Sequence, residues 1–170
     1  MDFRSLLQKF PSGTEKNDLT KRILEEPACR QSLLRLALRD KDPLAWRAAW
    51  IFDAADEQEA FARGFIPEIV QALPGLKSSG SMRCLLRMLS RYEIPEDEQG
   101  ILLDICFSSL VSEAAPIAVK AHAMQIIYQH SLLYPELGRE LKTILEDQME
   151  NNTAGYKSRA RRILKQLKKN

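Results

Sequence analysis

Apolar residues recur along this chain at spacings of three and four and almost nowhere in simple alternation. Between Ile101 and Val111, Leu102, Ile105, Cys106 and Leu110 fall on one helical face, while Asp104 and Ser108 fall away from it. The stretches from Pro116 to Leu133 and from Glu136 to Met149 repeat that pattern. Alternating Val, Ile and Thr segments bounded by Asn-Gly or Asp-Gly turns do not occur, so the pattern predicts an all-α fold. Prolines mark the helix starts. Asp42-Pro43 reads as a cap followed by proline at the first helical position, where the missing N–H is no loss, and Ile94-Pro95, Ala115-Pro116 and Tyr134-Pro135 have a similar form. Ser79 and Thr153 are further candidate caps. Between these marks lie about ten helices, joined by connections of about two to six residues that make successive helices antiparallel neighbours.

A longer period lies over the short one. Trp46-Arg47, Met82-Arg83, Val119-Lys120 and Tyr156-Lys157 are spaced by 36, 37 and 37 residues. A small side chain follows each basic residue: Ala48, Cys84, Ala121 and Ser158. Three places after it stands Trp50, Leu86, Ala123 or Ala160, and six places after it Asp53, Leu89, Ile126 or Ile163. These positions share a helix face with the residue before the anchor, so four helices carry one inward stripe. Helix pairs repeated at a fixed period are the signature of a stacked solenoid.

An apolar residue, then Arg or Lys, then a small residue opening the second helix of each pair, with Asp42-Pro43 just before the first, resembles HEAT repeats of the armadillo-like class. The resemblance covers residues 28–168 as about four repeats and leaves 1–27 for one or two N-terminal capping helices. It implies a right-handed α-solenoid of antiparallel helix pairs, an ARM-type superhelix, over a single domain of residues 1–170. The whole chain is also similar to small uncharacterised bacterial HEAT-like proteins, some of which carry the label adenylosuccinate lyase. That label does not suit this sequence. Ser78-Ser79-Gly80-Ser81-Met82-Arg83 has only a superficial likeness to the serine-rich signature loop of that enzyme and lacks its Pro-x-Lys-x-Asn continuation. Those lyases also need a far longer helical bundle with sites shared between subunits.

Composition narrows the function further. With 170 residues, 45% hydrophobic and 28% charged, the chain should bury roughly two-thirds of its unfolded surface, which excludes global disorder. No apolar run reaches the ~18 residues of a spanning helix, and MDFRSLLQKF lacks the continuous apolar segment of a secretion signal, so a cytoplasmic protein without membrane contact is expected. Cys29, Cys84 and Cys106, far apart and in apolar surroundings, are expected as reduced thiols. His122 and His130 lie eight residues apart, about 12 Å along a helix, too far to share one ion, and no metal is expected. The scattered glycines form no phosphate loop, and no Gly-x-Ser-x-Gly elbow exists, so no cofactor and no enzymatic activity are expected.

One set of residues points the other way. Trp46, Trp50 and Asp53 stand at i, i+4 and i+7 on one helix face. HEAT-like DNA glycosylases of the alkylation-repair type use a tryptophan, an aspartate and an arginine in a concave cleft. The resemblance implies that Asp53 would stabilise positive charge on a damaged nucleotide while the indoles stack on it. The repeat offers another reading, in which both tryptophans are core. Asp53 then stands where other repeats carry Leu89, Ile126 and Ile163, and marks either a polar site or a helix rotated toward solvent.

Charge is unevenly spread. Residues 93–155 hold 11 acidic and 3 basic side chains, whereas residues 156–170 hold 7 basic and none acidic, within a net charge of +2. On the last helix, Arg159, Arg162 and Gln166 share one face and Arg161, Lys165 and Lys168 another. The basic segment is either neutralised by the acidic repeat beside it or forms a footprint for nucleic acid, and the small net charge favours the former. The anchor residues Arg47, Arg83, Lys120 and Lys157 are expected to contact acidic and carbonyl groups of neighbouring repeats, as they commonly do in HEAT repeats.

The expectation that emerges is a non-catalytic scaffold whose second helices line a concave surface for a protein or peptide partner. Arg87, Arg91, Tyr128, Arg161 and Lys165, at the fourth and eighth places after the anchors of the last three repeats, form the expected contact stripe. Charge reversal at Arg87 with Arg91 should then abolish partner capture and leave the melting temperature nearly unchanged. The alternative is a nucleic-acid-binding protein related to the glycosylases. In a third reading Phe3, Leu6, Leu7 and Phe10 form an apolar stripe that docks the chain as a subunit, or else folds as a cap over the first repeat.

Overall fold

The computed structural model describes residues 2–9 and 12–169. Among them are ten α-helices and no strands: α1 Phe3–Leu6, α2 Gly13–Glu25, α3 Ala28–Arg39, α4 Leu44–Gln58, α5 Ile66–Ala72, α6 Ser79–Leu89, α7 Glu96–Val111, α8 Ile117–Ser131, α9 Pro135–Gln148 and α10 Ala154–Leu167. Two 3-10 turns, Ala62–Phe65 and Leu73–Gly75, flank the short α5. The chain forms two compact units, Met1–Glu98 and Gln99–Asn170.

Local chemistry sets the helix ends. Ser12 and Glu15 make a reciprocal capping box at α2, and the Thr153 hydroxyl accepts from the Tyr156 N–H at the start of α10. Pro135 is the first residue of α9, as its sequence indicates, but α4, α7 and α8 each begin one residue after their proline. Asp42 still serves α4, accepting from the Trp46 N–H at 3.3 Å. At α6 the cap is Ser78 rather than Ser79, and its hydroxyl accepts from the Ser81 N–H and donates to Asp42 Oδ1 at 2.6 Å.

In the first unit α4 is central and packs on α2, α3 and α6. Ala45, Ala48, Ala49 and Ala55 are fully buried on it, and such small side chains let the flanking helices come close. Phe52 lies edge-on to Phe61 and Phe65, at centroid distances of 5.1 and 5.7 Å. Phe3 and Leu7 are buried while Leu6 is half exposed, and Arg47 Nη1 donates to the Leu7 and Gln8 carbonyls at 2.9 and 2.7 Å. Two residues of the N-terminal apolar stripe are thus turned inward and one stays exposed, while Phe10 lies outside the described residues. In the second unit α8 packs on both α9 and α10. Leu102, Cys106, Ala123, Ile127, Leu141, Leu145, Tyr156 and Ala160 are completely buried there.

The repeating stripe is buried unevenly. Asp53, Leu89, Ile126 and Ile163 are all buried, whereas Trp46, Trp50 and Met82 are only half-buried, so the two indoles are not full core residues. Burial of Asp53 also rules out a first-repeat helix rotated toward solvent.

α4 and α6 come close at Gly80, where an added Cβ would stand 2.5 Å from Trp46 Cβ. Gly80→Ala should therefore cost about 1–3 kcal/mol despite alanine's better helix propensity, measured by urea unfolding of the purified protein. A neutral or stabilising result would show that the seam can open without cost.

Candidate functional site

Asp53 is 2% exposed on α4, facing α6. Arg87 Nε lies 2.7 Å from its Oδ2 and Arg91 Nη2 lies 2.9 Å from its Oδ1. Each arginine holds a second acid as well: Arg87 Nη2 is 2.6 Å from Glu57 Oε2, and Arg91 Nη2 is 2.8 Å from Asp56 Oδ2. Asp56, also buried, accepts from the Tyr92 hydroxyl and from the backbone N–H groups of Phe61 and Ala62, which fixes the turn after α4. Burial pushes the Asp53 carboxyl above its ordinary range, and the Arg91 and Arg87 guanidiniums pull it back only in part. Tyr92 is pushed up to about 12 by burial and by its bond to Asp56.

The structure thus joins residues that the sequence places in two different hypotheses. Asp53 stands in the catalytic alternative and Arg87 with Arg91 in the partner-binding stripe, yet they form one network. The carboxylate is buried and paired with two guanidiniums of its own chain. Trp46 and Trp50, with ring centroids 6.2 Å apart, carry Arg47 and Lys16 over their faces at 5.7 and 4.9 Å. Arg87 and Arg91 remain partly accessible, but their charges compensate a buried acid, so reversing them acts on stability first. A signal for this was present in the sequence: the lone acid at the sixth place of one repeat is matched by cations at the fourth and eighth places of the next.

The remaining stripe residues lie in the second unit. Tyr128 is half-buried on α8, while Arg161 and Lys165 are exposed on α10. Arg159 Nη2 donates to Gln125 Oε1 at 3.0 Å. Among the described residues, none of the basic side chains from Lys157 to Lys169 makes an ion pair with a carboxylate. The expected internal neutralisation of this helix is therefore not made by direct pairing. The anchors differ likewise: Arg47 binds carbonyls, whereas among the described residues Arg83 reaches the Cys84 sulfur and Lys120 the Tyr156 ring.

His130 Nδ1 lies 2.8 Å from the Ile126 carbonyl, and no group of three or more His, Cys, Asp or Glu among the described residues is placed to hold a metal ion. The cysteines are free, and burial raises the Cys84 and Cys106 thiols. No described helix is long and apolar enough to cross a membrane.

A family model described as a HEAT repeat domain matches residues 3–167. No curated protein and no solved structure matches the chain.

Removing the cations should cost more than removing the acid. The double substitution Arg87→Ala with Arg91→Ala strands Asp53 in the interior and should lower the unfolding free energy by about 3 kcal/mol. Asp53→Asn leaves each arginine a second carboxylate and should cost about 1 kcal/mol. Denaturant titration of both variants checks the asymmetry, and equal losses would refute it.

Proposed function

The chain belongs to the HEAT repeat family, and from that premise we propose that it is a non-catalytic scaffold holding a protein or peptide partner on the exposed face of its second helices. The observation that carries this reading is on α10. Arg161 and Lys165 are exposed on a regular helix and make no ion pair among the described residues, so they can meet an acidic partner without first breaking such a contact. Tyr128, at the corresponding place one repeat earlier, supplies the amphipathic aromatic that interfaces favour. Arg87 and Arg91 belong to the same repeat positions but contribute mainly to stability. Free thiols at Cys29, Cys84 and Cys106 suit a cytoplasmic setting. Burial of Asp53 between two guanidiniums argues against a glycosylase built on it.

The unpaired basic face also favours one second reading, an anionic nucleic acid in place of an acidic protein. Salt separates the two. Phosphate contacts release counterions, so nucleic-acid binding should fall steeply between about 50 and 200 mM salt in fluorescence anisotropy. Absence of binding at the lower salt removes that reading.

For the scaffold, charge reversal at Arg161 with Lys165 is the direct test. The double variant should lose partner capture from native extract while its stability stays within about 0.5 kcal/mol of the parent, as exposed and unpaired positions do. Undiminished capture would overturn the assignment of this face.

A further inference from the structure

A cavity of about 400 Å³ opens within the second unit, where the C-terminal ends of α7 and α9 meet the first turn of α8. Lys120 lines it and is only 5% exposed. Among the described residues this ammonium has no carboxylate partner and no hydrogen bond, its one contact being the Tyr156 ring, with the centroid 5.9 Å away. Its stem is buried while the ammonium opens on the cavity, where a group of opposite charge can reach it. Beside it in the lining, Gln148 accepts the Tyr156 hydroxyl proton on Oε1 at 2.9 Å, which leaves its amide N–H groups as further donors. Asn152, also in the lining, has its amide nitrogen engaged with the Gln148 carbonyl at 2.9 Å.

The buried part of the cavity therefore offers donors and one positive charge. Its exposed rim carries the opposite sign, from Glu113 and Asp147. The surrounding segment is strongly acidic, since Lys120 is one of only 3 basic residues among 14 charged ones between residues 93 and 155. A simple anion or a polyphosphate would be repelled on entry. A carboxylate that carries a cationic group beside it meets both demands, with the carboxylate inward on Lys120 and the cation outward between the rim acids. We propose that this cavity binds such a ligand, either a free basic amino acid or the basic C-terminal residue of a peptide chain. The site is separate from the α10 face and does not depend on it.

The test is calorimetric titration of the full-length protein with glycyl-glycyl-lysine, its C-terminal amide, and free L-lysine. The free tripeptide acid should bind saturably, and the amide at least about tenfold more weakly, since a charge-assisted hydrogen bond is lost. Free lysine binding as well as the tripeptide assigns the site to small zwitterions, whereas tripeptide binding alone assigns it to a chain terminus. Lys120→Met keeps the buried stem, removes the charge that faces the cavity and should bind at least about tenfold more weakly while the protein still folds. Equal affinity for acid and amide overturns the proposal, as does the absence of saturable binding to both lysine and the tripeptide. The acid and amide comparison needs no variant, so the proposal stays open to refutation whatever the fate of Lys120→Met.

Discussion

Burying a carboxylate where sister repeats bury an aliphatic side chain forces a particular relation between neighbours. Asp53 on α4 must find positive charge in the interior, and it finds it on Arg87 of α6 and on Arg91 just past the end of that helix, 34 and 38 positions further along the chain. Sliding α6 by one turn, about 5.4 Å, would carry one guanidinium out of reach and leave the other alone. The alanines of α4 and the absent side chain at Gly80 make the contact close enough for this to matter. Asp56 extends the network to the turn after α4 and to Tyr92. Electrostatic compensation and steric fit thus act on one seam, and each would be weaker without the other.

Much of the architecture is legible from spacing alone because burial writes it directly. Leu102, Cys106 and Leu110 are buried on α7 where the period places them, and Thr153 caps α10 as its chemistry indicates. Helix starts are less legible, since a proline fits as well in the cap as in the first turn, and α4, α7 and α8 take the former. Pairing across repeats was the least accessible. Composition counts 7 basic residues on the last segment and acids before it, but ion pairs need atoms within a few ångströms, and counting carries no such geometry. For the same reason Arg87 and Arg91 read as a free stripe until Asp53 is seen facing them.

Equivalent places in a repeat need not do equivalent work. The anchor residue donates to backbone carbonyls when it is Arg47, lies exposed beside a thiol when it is Arg83, and lies against an aromatic ring at the edge of a cavity when it is Lys120. A repeat fixes where a side chain points relative to its helix. Its surroundings are set by loop lengths and by what the adjacent helix ends supply, as at the α7, α8 and α9 termini around Lys120.

Both tryptophans of the chain sit on one helix of the first unit, half-buried and overlaid by Lys16 and Arg47, while the second unit has none. Intrinsic indole emission is consequently a reporter of α4 and its neighbours alone. If the second unit opened by itself, the event would be silent in that signal and visible in far-ultraviolet dichroism, so a difference between the two traces would resolve which half of the molecule lets go first.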